Sequence, residues 1–80
     1  MIEVELRLYA TLRRYRPGAP LEGGEVVLVP DGSTLLDLLA ALGIPAGEVQ
    51  TAFVNRKVRA MEQELGSGDR IDLFPAIAGG

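Results

Sequence analysis

One segment of the chain specifies an α-helix together with both of its ends. Four leucines at helical spacing share one face: Leu35, Leu38, Leu39 and Leu42. Before them, Thr34 and Asp37 form a T-x-x-D pattern, which is typical of a capping box at a helix start. After them, Gly43 can adopt the left-handed conformation of a helix end, and Pro45 cannot continue a helix. The sequence therefore predicts one amphipathic helix over residues 34–42, whose leucine face must pack against another layer.

The other apolar segments are short, and they alternate apolar with polar side chains as β-strands do. The clearest is residues 2–9, where every second side chain is aliphatic and Tyr9 falls on the opposite side. Further strands are predicted at residues 25–29, 51–55, 57–60 and 70–74. Residues 10–16 are predicted to form at most two turns of helix, closed by Pro17 and Gly18.

Eighty residues allow one domain with one hydrophobic core, so residues 1–80 are predicted to fold together as β-β-α-β-β. If the first and last strands are parallel neighbours, the helix crosses the sheet and buries its leucines on the apolar strand faces. This arrangement is an α+β fold of the β-grasp type, a mixed sheet of four to five strands with one main helix on one face. An antiparallel meander with an appended helix is the alternative. Residues 74–80 are predicted to form an extended, flexible tail.

The composition excludes several classes of function. The chain has no cysteine and no histidine, which removes thiol nucleophiles, disulfides, the usual zinc sites and imidazole bases, and no metal site is expected. A net charge of -3 argues against nucleic-acid binding, which needs a basic surface. No apolar run approaches the roughly 18 residues of a membrane span, and the N-terminus is unlike a signal peptide. We therefore expect a cytoplasmic location and no membrane partner.

The last six residues combine the features of a narrow segment that ends in one reactive group. Pro75 restricts the backbone, the two alanines keep the segment thin, and the terminal glycines fit a slot that a Cβ atom would block. Because the chain lacks cysteine and histidine, the Gly80 carboxylate is the group that we nominate for covalent chemistry. Taken alone, a terminal Gly-Gly is also compatible with a frayed end or a cloning scar.

Two aromatic side chains are candidates for a docking surface. Tyr9 and Phe74 fall on the strand faces opposite the core, and they would lie side by side next to the tail if the first and last strands are parallel. An exposed aromatic pair beside a reactive terminus is typical of a partner site, although the rings could equally cover a thin sheet edge. Other polar positions are interpreted as solvated surface or turns: Arg13, Arg14, Arg16, Asn55, Arg56 and Asp69.

Several segments along the whole chain also occur in a characteristic order. They are residues 2–9 with Ala10, Leu12 and Arg13, the helix start at 34–39, Val54-Asn55, Leu65-x-x-Gly68-Asp69-x-Ile71, and the ending Phe74-Pro75-Ala76-Ile77-Ala78-Gly79-Gly80. This set resembles the ubiquitin-like sulfur-carrier family, and within it the small subunits of molybdopterin synthases, whose ending is F-P-P-V-x-G-G. Ala76 departs from the second proline of that ending, and Arg14 stands where an acidic residue is frequent.

The resemblance implies a reaction cycle on Gly80 in which the chain is a carrier and not an enzyme. A ubiquitin-activating-like adenylating enzyme would use ATP and magnesium to form an acyl adenylate, and a sulfur donor protein would convert it into a thiocarboxylate. The sulfur would pass to the dithiolene of molybdopterin on the large, catalytic subunit of a heterotetrameric synthase, and the carrier itself would bind no cofactor. The segment threading into the partner would be Pro75, Ala76, Ile77, Ala78 and Gly79. The partner-binding residues would be Tyr9, Val58 and Phe74.

The same terminus leaves other functions open. An activated Gly80 could serve tRNA thiolation, thiamine synthesis or, as in a ubiquitin-like modifier, isopeptide bonds to lysines of target proteins. A function of another class is a non-catalytic β-grasp adaptor whose tail is inert. That alternative predicts that removal of Gly79 and Gly80 leaves every partner interaction intact.

Overall fold

The computed structural model describes residues 1–20 and 22–76, in which short strands alternate with helical segments. The elements are β1 (Ile2–Leu8), a 3-10 helix (Ala10–Tyr15), β2 (Glu25–Val29), α1 (Leu35–Leu42), a second 3-10 helix (Ala46–Glu48), β3 (Val49–Val54), β4 (Lys57–Val58) and β5 (Arg70–Pro75). The short strand β4 forms a hairpin with β3. With it the sheet has five strands, the larger of the two predicted numbers. Within these residues no helix is long and apolar enough to cross a membrane.

The five strands form one mixed sheet in the order β2-β1-β5-β3-β4, with β1 and β5 as parallel neighbours inside it. β1 pairs antiparallel with β2, and β3 pairs antiparallel with both β5 and β4. The parallel register sets Leu6 opposite Ile71 and Leu8 opposite Leu73, so the apolar sides of β1 and β5 point to the same face. This is the predicted β-grasp arrangement, and the parallel pair rules out the antiparallel meander.

Both ends of α1 have the predicted geometry. The Asp37 N–H donates to Thr34 Oγ1 at 3.2 Å, and the Thr34 N–H donates to Asp37 Oδ2 at 2.9 Å, which completes the capping box. At the other end, Gly43 has a left-handed φ of 74°, and the Ile44 N–H donates to the Leu39 carbonyl at 2.9 Å. These bonds satisfy backbone groups that a helix end leaves unpaired, and they turn Ile44 back into the core.

The core lies between α1 and one face of the sheet. Leu35, Leu38 and Leu39 are buried, whereas Leu42, the last residue of the helix, is only half-buried. The core-facing strand residues are Val4, Leu6, Leu8, Val29, Val49, Ala52, Val54, Ile71 and Leu73. Leu12 of the first 3-10 helix is fully buried and belongs to the same cluster. The predicted leucine face is therefore the core face of α1: three of its leucines are buried in the core, and Leu42 packs against the core from the end of the helix.

The β3–β4 hairpin differs from the sequence prediction at both of its ends. β3 begins at Val49, earlier than predicted. The sequence did not indicate this start, because a register shift between Val49 and Thr51 interrupts the alternation of apolar and polar side chains that marks a strand. β4 ends at Val58, earlier than predicted. After one further backbone hydrogen bond, from the Arg59 N–H to the Ala52 carbonyl at 3.0 Å, the chain leaves the sheet edge.

The burial pattern of α1 predicts how much individual leucines contribute to stability. Leu38→Ala or Leu39→Ala should lower the free energy of unfolding by about 2 to 5 kcal/mol, since each removes a buried side chain. Leu36→Ala is the matched control, because Leu36 is 47% exposed on the solvent side of the same helix, and it should cost under ~1 kcal/mol. Urea unfolding followed by circular dichroism measures all three variants. Equal losses for Leu36 and Leu39 would show that the buried face is assigned wrongly.

Candidate functional site

Tyr9 and Phe74 form a stacked pair on the sheet face opposite the core. The parallel register sets Leu8 opposite Leu73, so the residues that follow them are also neighbours. The Tyr9 N–H donates to the Leu73 carbonyl at 3.2 Å, and the two ring centroids lie 4.3 Å apart with their planes inclined by 9°. The predicted side-by-side placement is confirmed, and it depends on the parallel pairing of β1 with β5.

Two further side chains extend this pair towards the sheet edge. Phe53 packs edge-on against Phe74, with ring centroids 5.5 Å apart and planes at 76°. Val58 lies across the β3–β4 hairpin from Phe53 and is 64% exposed. We define the docking face as Tyr9, Phe53, Val58 and Phe74. Sequence analysis did not single out Phe53, although its position between two core-facing residues of β3 placed it on the outward side.

A buried carboxylate fixes the tyrosine of this face. Asp72 on β5 is only 4% exposed, and its Oδ1 accepts a hydrogen bond from the Tyr9 hydroxyl at 2.9 Å. Arg70 donates from Nε to Asp72 Oδ2 at 2.9 Å and from Nη2 to Oδ1 at 3.3 Å. The hydrogen bond to Asp72 raises the pKa of the Arg70 guanidinium, while burial opposes that shift. Both oxygens of the buried carboxylate are thus satisfied, and the Tyr9 ring is held in its stacked position.

An open groove of about 290 Å³ crosses this face of the sheet. It is lined by Tyr9, Phe53, Arg56, Arg70, Asp72 and Phe74. Three aromatic rings therefore lie beside two guanidinium groups, of which that of Arg70 is already engaged by Asp72. Aromatic and arginine side chains are enriched in protein interfaces, so the groove suits contact with another protein.

β5 leads from the docking face into the terminal segment. Phe74 and Pro75 are its last residues, and Pro75 pairs opposite Val49, so the sheet continues into the stretch predicted as tail. Ala76 is exposed and is the last residue that the structure describes. The remaining predicted tail and terminal positions lie outside the described residues: Ile77, Ala78, Gly79 and Gly80. The docking face is thus adjacent to the strand that precedes the C-terminal residues.

The arginines near the first 3-10 helix are engaged within the chain. Arg16 donates to both carboxylate oxygens of Glu25, at 3.0 and 2.6 Å. These hydrogen bonds lower the pKa of Glu25 and raise the pKa of Arg16. Arg13 donates to the Pro20 carbonyl at 3.2 Å. A cavity of about 240 Å³ borders Arg13 and Arg16. Both side chains already bind groups of the chain itself, which agrees with their interpretation as surface residues.

Asp69 organises the entry to β5, as predicted. Its Oδ2 accepts from the Gly66 N–H at 2.7 Å, and its Oδ1 accepts from the Asn55 side-chain amide at 2.9 Å. Asn55 Oδ1 in turn accepts from the Arg70 N–H at 3.0 Å. The hairpin turn at Asn55 is thereby tied to the start of β5, which fixes the edge of the docking face.

The mixed five-stranded sheet with one main helix defines a ubiquitin-like β-grasp protein. The ThiS family model matches residues 6–80, and the chain therefore belongs to the ThiS family. This confirms the resemblance to the sulfur carriers at the level of the family. A search of curated proteins finds no match.

Several solved structures have the same fold. The Haloferax volcanii HVO 2177 protein is 28% identical, with a TM-score of 0.75 over 99% of this chain and 87% of that one. Small archaeal modifier protein 1 of H. volcanii is 21% identical, with a TM-score of 0.73 over 96% of this chain and all of that one. The Helicobacter pylori complex of subunits 1 and 2 of molybdopterin-converting factor contains a chain 22% identical, with a TM-score of 0.59 over 99% and 100% of the two chains. At these identities the latter two show the fold alone.

The bond between Tyr9 and Asp72 predicts a measurable effect on stability. Tyr9→Phe removes a donor to the buried Asp72 and should lower the free energy of unfolding by about 1 to 2 kcal/mol. Tyr15→Phe is the matched control, because the Tyr15 hydroxyl only accepts from Arg14 at an exposed site, and it should change stability by under ~0.5 kcal/mol. Urea unfolding compares the two. An equal effect of both substitutions would mean that the Tyr9 hydroxyl does not support Asp72.

Proposed function

We propose that the protein is the sulfur-carrying small subunit of a molybdopterin synthase and that the Gly80 carboxylate carries the sulfur. The observation that carries this proposal is the stacked, half-buried pair Tyr9 and Phe74 beside the strand that precedes the Gly-Gly end. Membership of the ThiS family supports a carrier function. The pathway is proposed after one protein of the same fold, whose structure is a complex of subunits 1 and 2 of molybdopterin-converting factor.

The proposed chemistry begins at a carboxylate that is a poor electrophile by itself. It attacks the α-phosphate of ATP in a partner that binds ATP and magnesium, which forms an acyl adenylate and releases pyrophosphate. A donor protein then delivers sulfur at the oxidation level of sulfide, so that a C–S bond forms, AMP leaves and Gly80 ends in a thiocarboxylate. This sulfur is nucleophilic although the chain has no cysteine. On the large subunit it attacks a carbon of the dithiolene precursor and displaces an oxygen, and water then cleaves the resulting thioester, which leaves the sulfur on the precursor and restores the Gly80 carboxylate.

In this proposal the protein is a carrier whose side chains bind partners and do not react. The docking face would contact the adenylating enzyme and the large subunit, and the synthase would be a cytoplasmic heterotetramer. Because five residues follow Pro75, the terminal carbon can lie at most roughly 18 Å beyond the end of β5. A partner that binds the docking face must therefore hold its own active site within that distance of the end of β5.

A second candidate function shares the activation step and differs in the acceptor. The likeness to small archaeal modifier protein 1 favours a protein modifier. In that case a lysine amine attacks the acyl adenylate, an isopeptide bond forms and AMP leaves. A carrier for tRNA thiolation or thiamine synthesis would form the same thiocarboxylate, and an adaptor with an inert tail would form neither product.

The docking face predicts which substitutions weaken partner binding. Tyr9→Ala or Phe74→Ala should weaken binding to the large subunit by roughly 2 kcal/mol or more in calorimetric titrations, because aromatic anchors dominate such interfaces. Val26→Ala is the matched control, since Val26 is 64% exposed on the same side of the sheet but on β2, at the opposite edge. Circular dichroism checks that the fold is retained. Unchanged affinity in both aromatic variants would place the interface elsewhere.

Incubation with the adenylating enzyme, ATP, magnesium and a sulfur donor tests the proposed terminus. Intact-mass spectrometry should show the gain expected when sulfur replaces one carboxylate oxygen. Deletion of Gly80 should abolish this gain without changing the unfolding midpoint, because a terminal residue contributes little to stability. Gly79→Val should also be defective, since a β-branched side chain thickens the segment and restricts its backbone.

One alanine added after Gly80 is the sharpest control, because it keeps every native residue and moves the carboxylate by ~3.3 Å. Sulfur uptake should fall nearly to the level of the deletion variant. Normal uptake by the extended protein, without trimming, would contradict the proposal and favour the inert adaptor. If the activated protein forms conjugates with lysines but no molybdopterin with the large subunit, its function is that of a protein modifier and not that of a synthase subunit.

A further inference from the structure

Half of the eight basic side chains of this acidic chain are engaged by a carboxylate of the fold, but none of those on one hairpin is. Four arginines form ion pairs, namely Arg7 with Glu5, Arg14 with Glu48, Arg16 with Glu25 and Arg70 with Asp72. Within residues 1–20 and 22–76, the cations without such a pair are Arg13, Arg56, Lys57 and Arg59. Three of these belong to the β3–β4 hairpin and the residue after it. The edge of the sheet at β4 therefore has a local excess of positive charge.

The turn of this hairpin has an arginine where glycine would be less strained. Asn55 and Arg56 both have positive φ angles, 53° and 69°, as a type I′ turn requires. Glycine is preferred at the second of these positions, because a Cβ atom in the left-handed region costs on the order of 1 kcal/mol. The side chain of Arg56 is exposed and has no ion pair in the described part of the chain that would offset this cost. A contact outside the chain would account for its presence.

These cations border the docking face. Arg56 lines the same open groove as Tyr9, Phe53 and Phe74. Lys57 and Arg59 precede and follow Val58 along the edge of the sheet. Alternation directs them to the other side of the sheet from Val58, because their partners Val54 and Ala52 face the core, but both are exposed at the edge that bounds the docking face. The positive charge is thus at the rim of the aromatic contacts, where charged groups determine the rate of encounter and the choice of partner.

Two other functions for the cations fit the structure less well. Basic residues on an edge strand can prevent aggregation, but the opposite edge strand, β2, exposes Val26 and Leu28 instead of such residues. Nucleic-acid binding would need a wider basic surface than these three side chains offer in a chain of net charge -3. A protein with an acidic surface fits both the charge and the neighbouring aromatic rings.

We propose that the adenylating partner of this chain has an acidic patch that contacts Arg56, Lys57 and Arg59 when it binds the docking face. The inference rests on the proposed carrier function and adds the charge of the partner surface and the residues that recognise it. Complementary charge raises the encounter rate by roughly tenfold or more at low ionic strength. Salt screens this effect, because the Debye length is about 10 Å at 0.1 M.

The test measures pyrophosphate release by the adenylating enzyme of the same genome, at increasing concentrations of the full-length protein, in low and in high salt. The triple variant Arg56→Gln/Lys57→Gln/Arg59→Gln should raise KM about tenfold in low salt with kcat unchanged, and the difference should shrink in high salt. Arg14→Gln is the control for loss of a single charge, because Arg14 lies on the first 3-10 helix and is paired with Glu48. It should leave KM unchanged, whereas Arg56→Gln should raise it.

Arg56→Gly separates binding from folding. It relieves the strained turn, so the thermal unfolding midpoint should stay the same or rise while KM increases. No pyrophosphate release with the wild-type protein would refute the carrier function itself. Release with an unchanged KM in the triple variant would overturn the charge inference alone and leave the cations as protection of the sheet edge. Binding of total tRNA that is lost in the triple variant would also overturn it, in favour of a nucleic acid.

Discussion

The parallel pairing of β1 with β5 is the constraint on which the rest of the structure depends. Parallel neighbours cannot be joined by a tight turn. Residues 9–69 must therefore carry the chain from the end of β1 back to the end of the sheet where β1 began, so that β5 can start there. That path contains α1, which covers one face of the two strands with its leucines. On the other face the same register sets Tyr9 beside Phe74. One pairing therefore determines both the core and the docking face.

Features of the structure that are determined locally were predictable outright, whereas features that are determined across the sheet were predictable only conditionally or not at all. The ends of α1 were predictable, because the capping box and the left-handed glycine involve only neighbouring residues. The position of Phe74 beside Tyr9 could be stated only conditionally, since it requires the parallel register. The bond from Tyr9 to Asp72 was not predictable, because these residues are 63 positions apart and alternation places Asp72 on the outward face, where burial is not expected.

The buried Asp72 links the stability of the fold to the shape of its surface. A carboxylate this far from solvent is tolerated only when its oxygens are bonded, which makes Tyr9 and Arg70 structural partners as well as surface residues. The same bonds limit the conformations of the Tyr9 side chain before any partner arrives. Less side-chain entropy is then lost on binding, so the network that stabilises the fold also prepares the docking face.

If Gly80 carries the sulfur, the short reach of the C-terminal residues has a consequence for the order of events. The adenylating enzyme and the large subunit would then each place an active site within roughly 18 Å of the end of β5, and if both bind the docking face, they compete for it. The first partner must dissociate before the second can bind. A tight, wholly apolar interface would slow that exchange. A charged rim at Arg56, Lys57 and Arg59 suits it better, because long-range charge accelerates encounter without slowing dissociation to the same extent.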